Sequence, residues 1–202
     1  MTKIKMCGLR READIEYANR IMPEFVGFVF AKQSKRYVTV EKAFELRYFL
    51  DYRIASVGVF VDEAPEAIAE IAERDIINAV QLHGNEDSAY IKRLRELCDV
   101  PIIKAYKINS VYDIECACLS DADFVLLDSG NGSGKTFDHS LIQNIDRPYF
   151  LAGGVTPQNA RSLVNTFSPY AIDASSSLET DGFKDFDKMK ALADAVRNER
   201  ID

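Results

Sequence analysis

An α/β fold closed as a (β/α)8 barrel, one compact domain over residues 1–202, is what this sequence predicts. Three observations carry that prediction. Short β-branched runs alternate with longer helical patterns through the whole chain, which is βαβ architecture. Strand and helix signals, eight of each, recur at spacings of about 20–30 residues. Several strand signals are apolar on successive residues, as in Phe124-Val125-Leu126-Leu127, and parallel strands covered on both faces read that way. Near-equal units favour a closed barrel of the TIM type over an open doubly wound sheet. At 202 residues the chain sits at the short end of that class, which calls for short loops.

In chain order, strands are expected at Lys3–Met6, Phe25–Phe30 and Ala55–Phe60. The segment Ala64–Arg74 then carries Ala67, Ile68, Ile71 and Ala72 at helical spacing, with Pro65 near its start, where proline suits a helix. Strand Ala79–Leu82 leads into helix Asp87–Leu97, whose Ile91, Leu94 and Leu97 share a face. Strands Ile102–Tyr106, Asp123–Leu127, Tyr149–Ala152 and Ala171–Ala174 follow. The last helix, Asp185–Arg197, aligns Met189, Leu192 and Val196. No linker, low-complexity tract or composition break divides the chain.

Composition narrows the function classes. Hydrophobic residues make up 47% and charged residues 28%, as in soluble globular proteins. A net charge of -7 argues against nucleic acid or an acidic membrane surface as partner, because both need a basic footprint. An anionic small molecule stays open, since one arginine or a ring of backbone N–H groups binds a phosphate. No apolar run approaches the roughly 20 residues of a membrane span, and the N-terminus lacks a signal-peptide core. A cytoplasmic protein is therefore expected. Cys7, Cys98, Cys116 and Cys118 are then free thiols. Cys116 and Cys118 lack a second Cys or His pair at zinc spacing, so no structural metal is expected.

In such a barrel the chemistry sits at the C-terminal ends of the strands. The residues that follow the strands are Cys7-Gly8, Ala31–Arg36, Val61-Asp62-Glu63, His83-Gly84, Asp128–Lys135, Gly153-Gly154 and Ser175-Ser176-Ser177. Loops after strands 7 and 8 commonly bind phosphate in this fold. Here Gly153 and Gly154 offer bare backbone N–H groups, and Ser175 and Ser176 add hydroxyls. Gly134-Lys135-Thr136 looks like the end of a P-loop, but Ser129 stands where that pattern needs glycine. The run Ser129–Thr136 reads better as a loop that closes over a ligand.

Cys7 ends its strand and precedes Gly8, so it should face the barrel mouth. A thiol has a pKa low enough to serve as a base where its surroundings favour thiolate. Asp128 ends an apolar strand, where a half-buried carboxyl can stay protonated as a general acid requires. A thiol and a carboxyl across a barrel mouth form a plausible proton-transfer pair. Arg36 is the candidate anion clamp, since its planar fork holds a carboxylate in two parallel bonds. His83 either donates to the ligand or is structural at the end of strand 4.

These residues lie in runs that resemble the phosphoribosylanthranilate isomerases of tryptophan biosynthesis: KIKMCGLR, VGFVFAKQSKRYV around Arg36, VQLHGNED around His83, LLDSGNGSGKTFD around Asp128, LAGGVTPQNA and IDASSSLET. Each is weak alone, but together, in this order on a βα repeat, they are highly specific. The resemblance implies a TIM barrel with no cofactor and no metal. It implies conversion of N-(5-phosphoribosyl)anthranilate into 1-(2-carboxyphenylamino)-1-deoxyribulose 5-phosphate by an Amadori rearrangement. By that likeness Asp128 protonates the ring oxygen, Cys7 takes the proton from C2, and Arg36 holds the anthranilate carboxylate. Gly153, Gly154, Ser175 and Ser176 bind the phosphate, and Asp173 lies near the sugar hydroxyls.

Three positions depart from the family pattern. Lys35 stands where proline is frequent, and His139 where an aromatic residue is. Ser177 stands where glycine is common, so its Cβ restricts any backbone that takes positive φ. Other readings are a histidine-pathway Amadori isomerase, against which the thiol at position 7 speaks, a P-loop nucleotide binder, and a phosphate-binding barrel without activity. The expected partner is a small phosphorylated substrate, and the chain itself a monomer or homodimer.

Overall fold

A computed structural model describes residues 1–128, 142 and 145–197. Eight parallel strands close into a barrel in sequence order. They are β1 (Lys3–Cys7), β2 (Phe25–Val29), β3 (Ala55–Phe60), β4 (Ala79–Leu82), β5 (Ile102–Lys107), β6 (Phe124–Asp128), β7 (Tyr149–Ala152) and β8 (Ala171–Ala174). Each predicted strand is present, with ends within one residue. Among the described residues the helices are α1 (Glu12–Ile21), α2 (Val40–Phe49), α3 (Pro65–Glu73), α4 (Ser88–Leu97), α5 (Val111–Cys118), α6 (Ala160–Phe167) and α7 (Phe186–Arg197). The Ser129–Thr136 loop and His139 lie outside the described residues. None of the described helices is long and apolar enough to cross a membrane.

Local chemistry explains the helix ends. Pro65 occupies the first turn of α3, where its missing N–H costs nothing. Asp87 caps α4 by accepting from the Tyr90 N–H at 2.8 Å. Asp185 accepts from the N–H groups of Asp187 and Lys188 and so opens α7. Helix α6 begins at Ala160, and Pro157 sits in the turn before it. There Thr156 and Asn159 bond each other through side chain and backbone in both directions, which fixes the turn.

Period-two alternation sorts each strand into two faces. In β1, Ile4 and Met6 join the core between barrel and helices. The opposite face looks into the barrel. Its lower half is filled by Val57, Ala79, Ile103, Leu126 and Phe150, with Phe25, Phe124 and Tyr170 against them. Phe150 meets Phe25 and Phe124 at centroid separations of 5.5 and 5.8 Å. This apolar plug closes one end of the barrel and leaves polar interior positions to the other.

Two features escaped the strand pattern. A short 3-10 turn at Ser176–Leu178 follows β8, and a hairpin of β9 (Glu179–Thr180) and β10 (Phe183–Lys184) precedes α7. Asp181 and Gly182 turn it, both in the left-handed region, which glycine and aspartate tolerate best. Strands of two residues are too short to leave a periodic signal.

Candidate active site

The C-terminal ends of the strands surround a cavity of about 490 Å³, within the roughly 300–1,000 Å³ of small-molecule sites. Cys7, Arg36, His83, Asp128, Gly153, Gly154, Asp173, Ser175 and Ser176 all line it. The nine residues given catalytic or binding roles from sequence are thus brought to one place.

Cys7 is the last residue of β1 and is 8% exposed. Its thiol lies over Gly27 of β2, where an added Cβ would fall 2.6 Å from Sγ and 3.1 Å from the Cys7 Cα. Gly27 is therefore the cradle of the thiol. Gly27→Ala is expected to displace Sγ and to lower kcat by about tenfold or more, the cost of a small misplacement. Overpacking should also cost about 1–3 kcal/mol of stability. Steady-state kinetics and thermal unfolding check both.

Asp128 ends β6 and borders the same cavity as Cys7. His83 Nε2 stands 3.4 Å from Asp128 Oδ2. The other ring nitrogen, Nδ1, is 3.1 Å from the Gln81 side-chain amide. Gln81 is buried inside β4, so it fixes the ring that faces the carboxyl. His83 therefore does more than end a strand: it touches the candidate acid. The loop beyond it is pinned from outside the barrel. Buried Glu86 accepts from the N–H groups of Asp62 and Gly84, and from Lys104 Nζ at 2.8 Å.

Arg36 is engaged differently from expectation. Its Nε and Nη2 already grip Glu179 of the β9–β10 hairpin, at 2.6 and 2.7 Å. Lys184 Nζ holds the same carboxylate at 2.7 Å and donates to the Ser175 carbonyl at 3.0 Å. The guanidinium has two usable edges, and one is filled by the protein. Its Nη1 has no hydrogen-bond partner among the described residues. Glu179 sets the plane of the fork. The hydrogen bonds and charge of Glu179 push the Arg36 pKa up against the effect of burial. The Arg36 chain lies across Gly8, whose φ is +83° and whose added Cβ would fall 2.4 Å from Arg36 Cδ.

The loops after β7 and β8 line one side of the cavity. Gly153 and Gly154 take φ of 78° and 71°, a backbone that side chains with a Cβ resist. Ser175 Oγ donates to the Cys7 carbonyl at 3.0 Å, and Ser177 Oγ to the Val155 carbonyl at 2.6 Å. Ser177 is not among the positive-φ residues. Its Cβ carries no backbone strain, and its hydroxyl ties the two loops together.

The model of the N-(5'phosphoribosyl)anthranilate (PRA) isomerase family matches residues 4–195. The chain belongs to the PRA isomerase family. It is 41% identical to the N-(5'-phosphoribosyl)anthranilate isomerase of Endomicrobium trichonymphae, over 98% of this chain and 100% of that protein. Among solved structures it superimposes on a phosphoribosylanthranilate isomerase bound to reduced 1-(o-carboxyphenylamino)-1-deoxyribulose 5-phosphate. That match has a TM-score of 0.88 and 34% identity, covering 98% of this chain and 100% of the other. It also resembles monomers generated from the dimeric Thermotoga maritima enzyme, with a TM-score of 0.87, 33% identity and the same coverage.

Sequence reasoning missed Lys5, Gln81, Glu179 and Lys184. The first two had a signal: each stands two residues before a site residue on its strand and so shares its face. Glu179 and Lys184 had none, because only the hairpin brings them to Arg36.

Proposed function

We propose that this cavity isomerises N-(5-phosphoribosyl)anthranilate to 1-(2-carboxyphenylamino)-1-deoxyribulose 5-phosphate, the Amadori step of tryptophan biosynthesis. The observation that carries the reading is the gathering of Cys7, Asp128, Arg36 and the two phosphate-type loops around one cavity, in a member of this family. The product analogue held by a solved relative supports the same substrate.

The residues divide the work. Gly153, Gly154, Ser175 and Ser176 take the phosphate through backbone N–H and hydroxyl donors. Arg36 takes the anthranilate carboxylate on the side Glu179 leaves open. Asp128 gives its proton to the furanose ring oxygen as the bond from C1 to that oxygen breaks. The anilino nitrogen supplies the electron pair, which forms a protonated Schiff base. Cys7, as thiolate, takes the C2 proton, and the C2–H electrons form the enolamine. Tautomerisation then gives the ketone, so no external oxidant or reductant enters. Asp173 stands beside the sugar hydroxyls.

Burial pushes the Cys7 thiol above its ordinary range, although Lys5 and Lys184 pull it down. The base must be deprotonated, so kcat/KM of the free enzyme should rise with pH on the alkaline side of neutrality. Arg36→Met should raise KM by about tenfold or more, since a hydrogen bond to a charged group contributes roughly 1.5–3 kcal/mol, with a smaller effect on kcat. Substrate-dependence of the initial rate separates the two.

A coupled assay with freshly made phosphoribosylanthranilate tests the reading, as does rescue of a tryptophan auxotroph lacking this step. Absence of turnover by the purified chain would overturn it. The reading takes residues 1–202 as one barrel domain acting in the cytoplasm, where a base thiol stays reduced. It acts as a monomer or, like the relative described as dimeric, as a homodimer.

A further inference from the structure

Lys5 is the one charged side chain at the centre of β1, and it is completely buried. Its alternation with Cys7 places both on the interior face of the barrel. Opposite it in register on β8 stands Asp173. Lys5 Nζ donates to Asp173 Oδ2 at 2.8 Å, and Cys7 follows two residues on along the same strand face. The other oxygen of Asp173, Oδ1, is buried with no partner among the described residues, and Asp173 lines the cavity. Asp173 thus lines the cavity together with Cys7, and Lys5 is buried behind it.

A buried ion pair is a poor stability device, because well-packed apolar residues of similar volume commonly do as well or better. Below it the barrel interior is packed with apolar and aromatic side chains, and Lys3 at the strand's start bonds the Tyr170 hydroxyl. A lysine kept at this level, on the thiol's own strand face, calls for a role beyond stability. We propose that Lys5 is a positioning residue for the base: its buried ammonium, held in place by Asp173, stabilises the thiolate of Cys7 on the same strand face. The proposal rests on the reading of Cys7 as the base.

The other charges around the thiol do not substitute for Lys5. Lys184 reaches toward it from β10, but its Nζ is bonded to Glu179 and the Ser175 carbonyl. Arg36, from the loop after β2, is gripped by Glu179. Asp173 itself opposes ionisation of Cys7. Of these cations, Lys5 is the one that shares the thiol's own strand and face. Burial drives its own pKa down, but Asp173 and Cys7 outweigh that and hold it above the usual lysine range.

The test follows alkylation of Cys7 by iodoacetamide across pH, read peptide by peptide so that Cys98 serves as an internal control. In Lys5→Met the midpoint for Cys7 should move alkaline by about one pH unit or more, a tenfold loss of thiolate at a given pH. The alkaline limb of kcat/KM should move with it, and KM should change little. Lys5→Met/Asp173→Asn removes the unpaired carboxylate as well, and serves if the single variant fails to fold. In the unaltered chain the side-chain nitrogen resonance of Lys5 should shift over the pH range in which Cys7 becomes reactive. An unmoved Cys7 profile in a folded variant, a pure KM effect, or a flat Lys5 resonance would each overturn the proposal. Absence of isomerisation by the unaltered chain overturns the functional reading instead, so the two failures are read on separate assays.

Discussion

Replacing Cys7 with serine is expected to lower kcat by about 10²-fold or more, the usual cost of losing a general base. The thiol is close to ideal for the position in size, since it fills the space over Gly27. Serine fits the same space and leaves the cavity lining in place. What it lacks is an accessible anion: a hydroxyl does not ionise in the range where a thiol assisted by a neighbouring ammonium does. The loss should therefore fall on kcat, with KM changed by less than about threefold, the signature of an interaction made in the transition state alone. The alkaline rise of kcat/KM should vanish in the same variant. Turnover near that of the unaltered chain would remove Cys7 from the reaction. Pre-steady-state mixing with phosphoribosylanthranilate, under conditions where product release is excluded, makes the comparison direct.

Asp128→Asn should be equally severe, with kcat lower by about 10²–10⁴-fold. Asparagine keeps the shape of the carboxyl, and its amide can still face His83 across the 3.4 Å that separates Nε2 from Oδ2. It has no proton to give to a ring oxygen. Ring opening, the first step, then lacks its acid. A product analogue should bind the variant within a few-fold of the unaltered chain, because Arg36 and the two phosphate loops are untouched. If the analogue loses affinity as steeply as kcat falls, Asp128 holds the ligand and does not donate. Calorimetric titration beside the kinetics decides between these outcomes.

Both predictions depend on residues that the sequence names but whose neighbours it conceals. The β1 run Lys3-Ile4-Lys5-Met6-Cys7 contains its own instruction. Alternation sends Ile4 and Met6 to the helices and Lys5 and Cys7 inward, and no tertiary contact is needed to read it. The same logic places Gln81 under His83. The strand ends were legible too, since apolar runs stop where Cys7, His83 and Asp128 begin. In a parallel barrel those ends all open on one face.

The state of Arg36 was not legible. A guanidinium in a loop of Lys32, Ser34 and Lys35 reads as an open clamp until Glu179 is brought to it across 143 positions of chain. That contact is made by a hairpin whose strands have two residues each, below the length at which periodicity exists. The role of Ser177 was equally hidden. Its turn has negative φ, and its hydroxyl bonds the Val155 carbonyl of the neighbouring loop.

By itself the sequence determined the barrel, the face that carries the chemistry and the side chains that line it, because strand period and strand ends are local properties of the chain. Only the tertiary structure decided how those side chains are held: Lys5 on Asp173, Asp128 against His83, Arg36 in the grip of Glu179. Those pairings join residues far apart in sequence, and their strength comes from burial that exists once the barrel has closed.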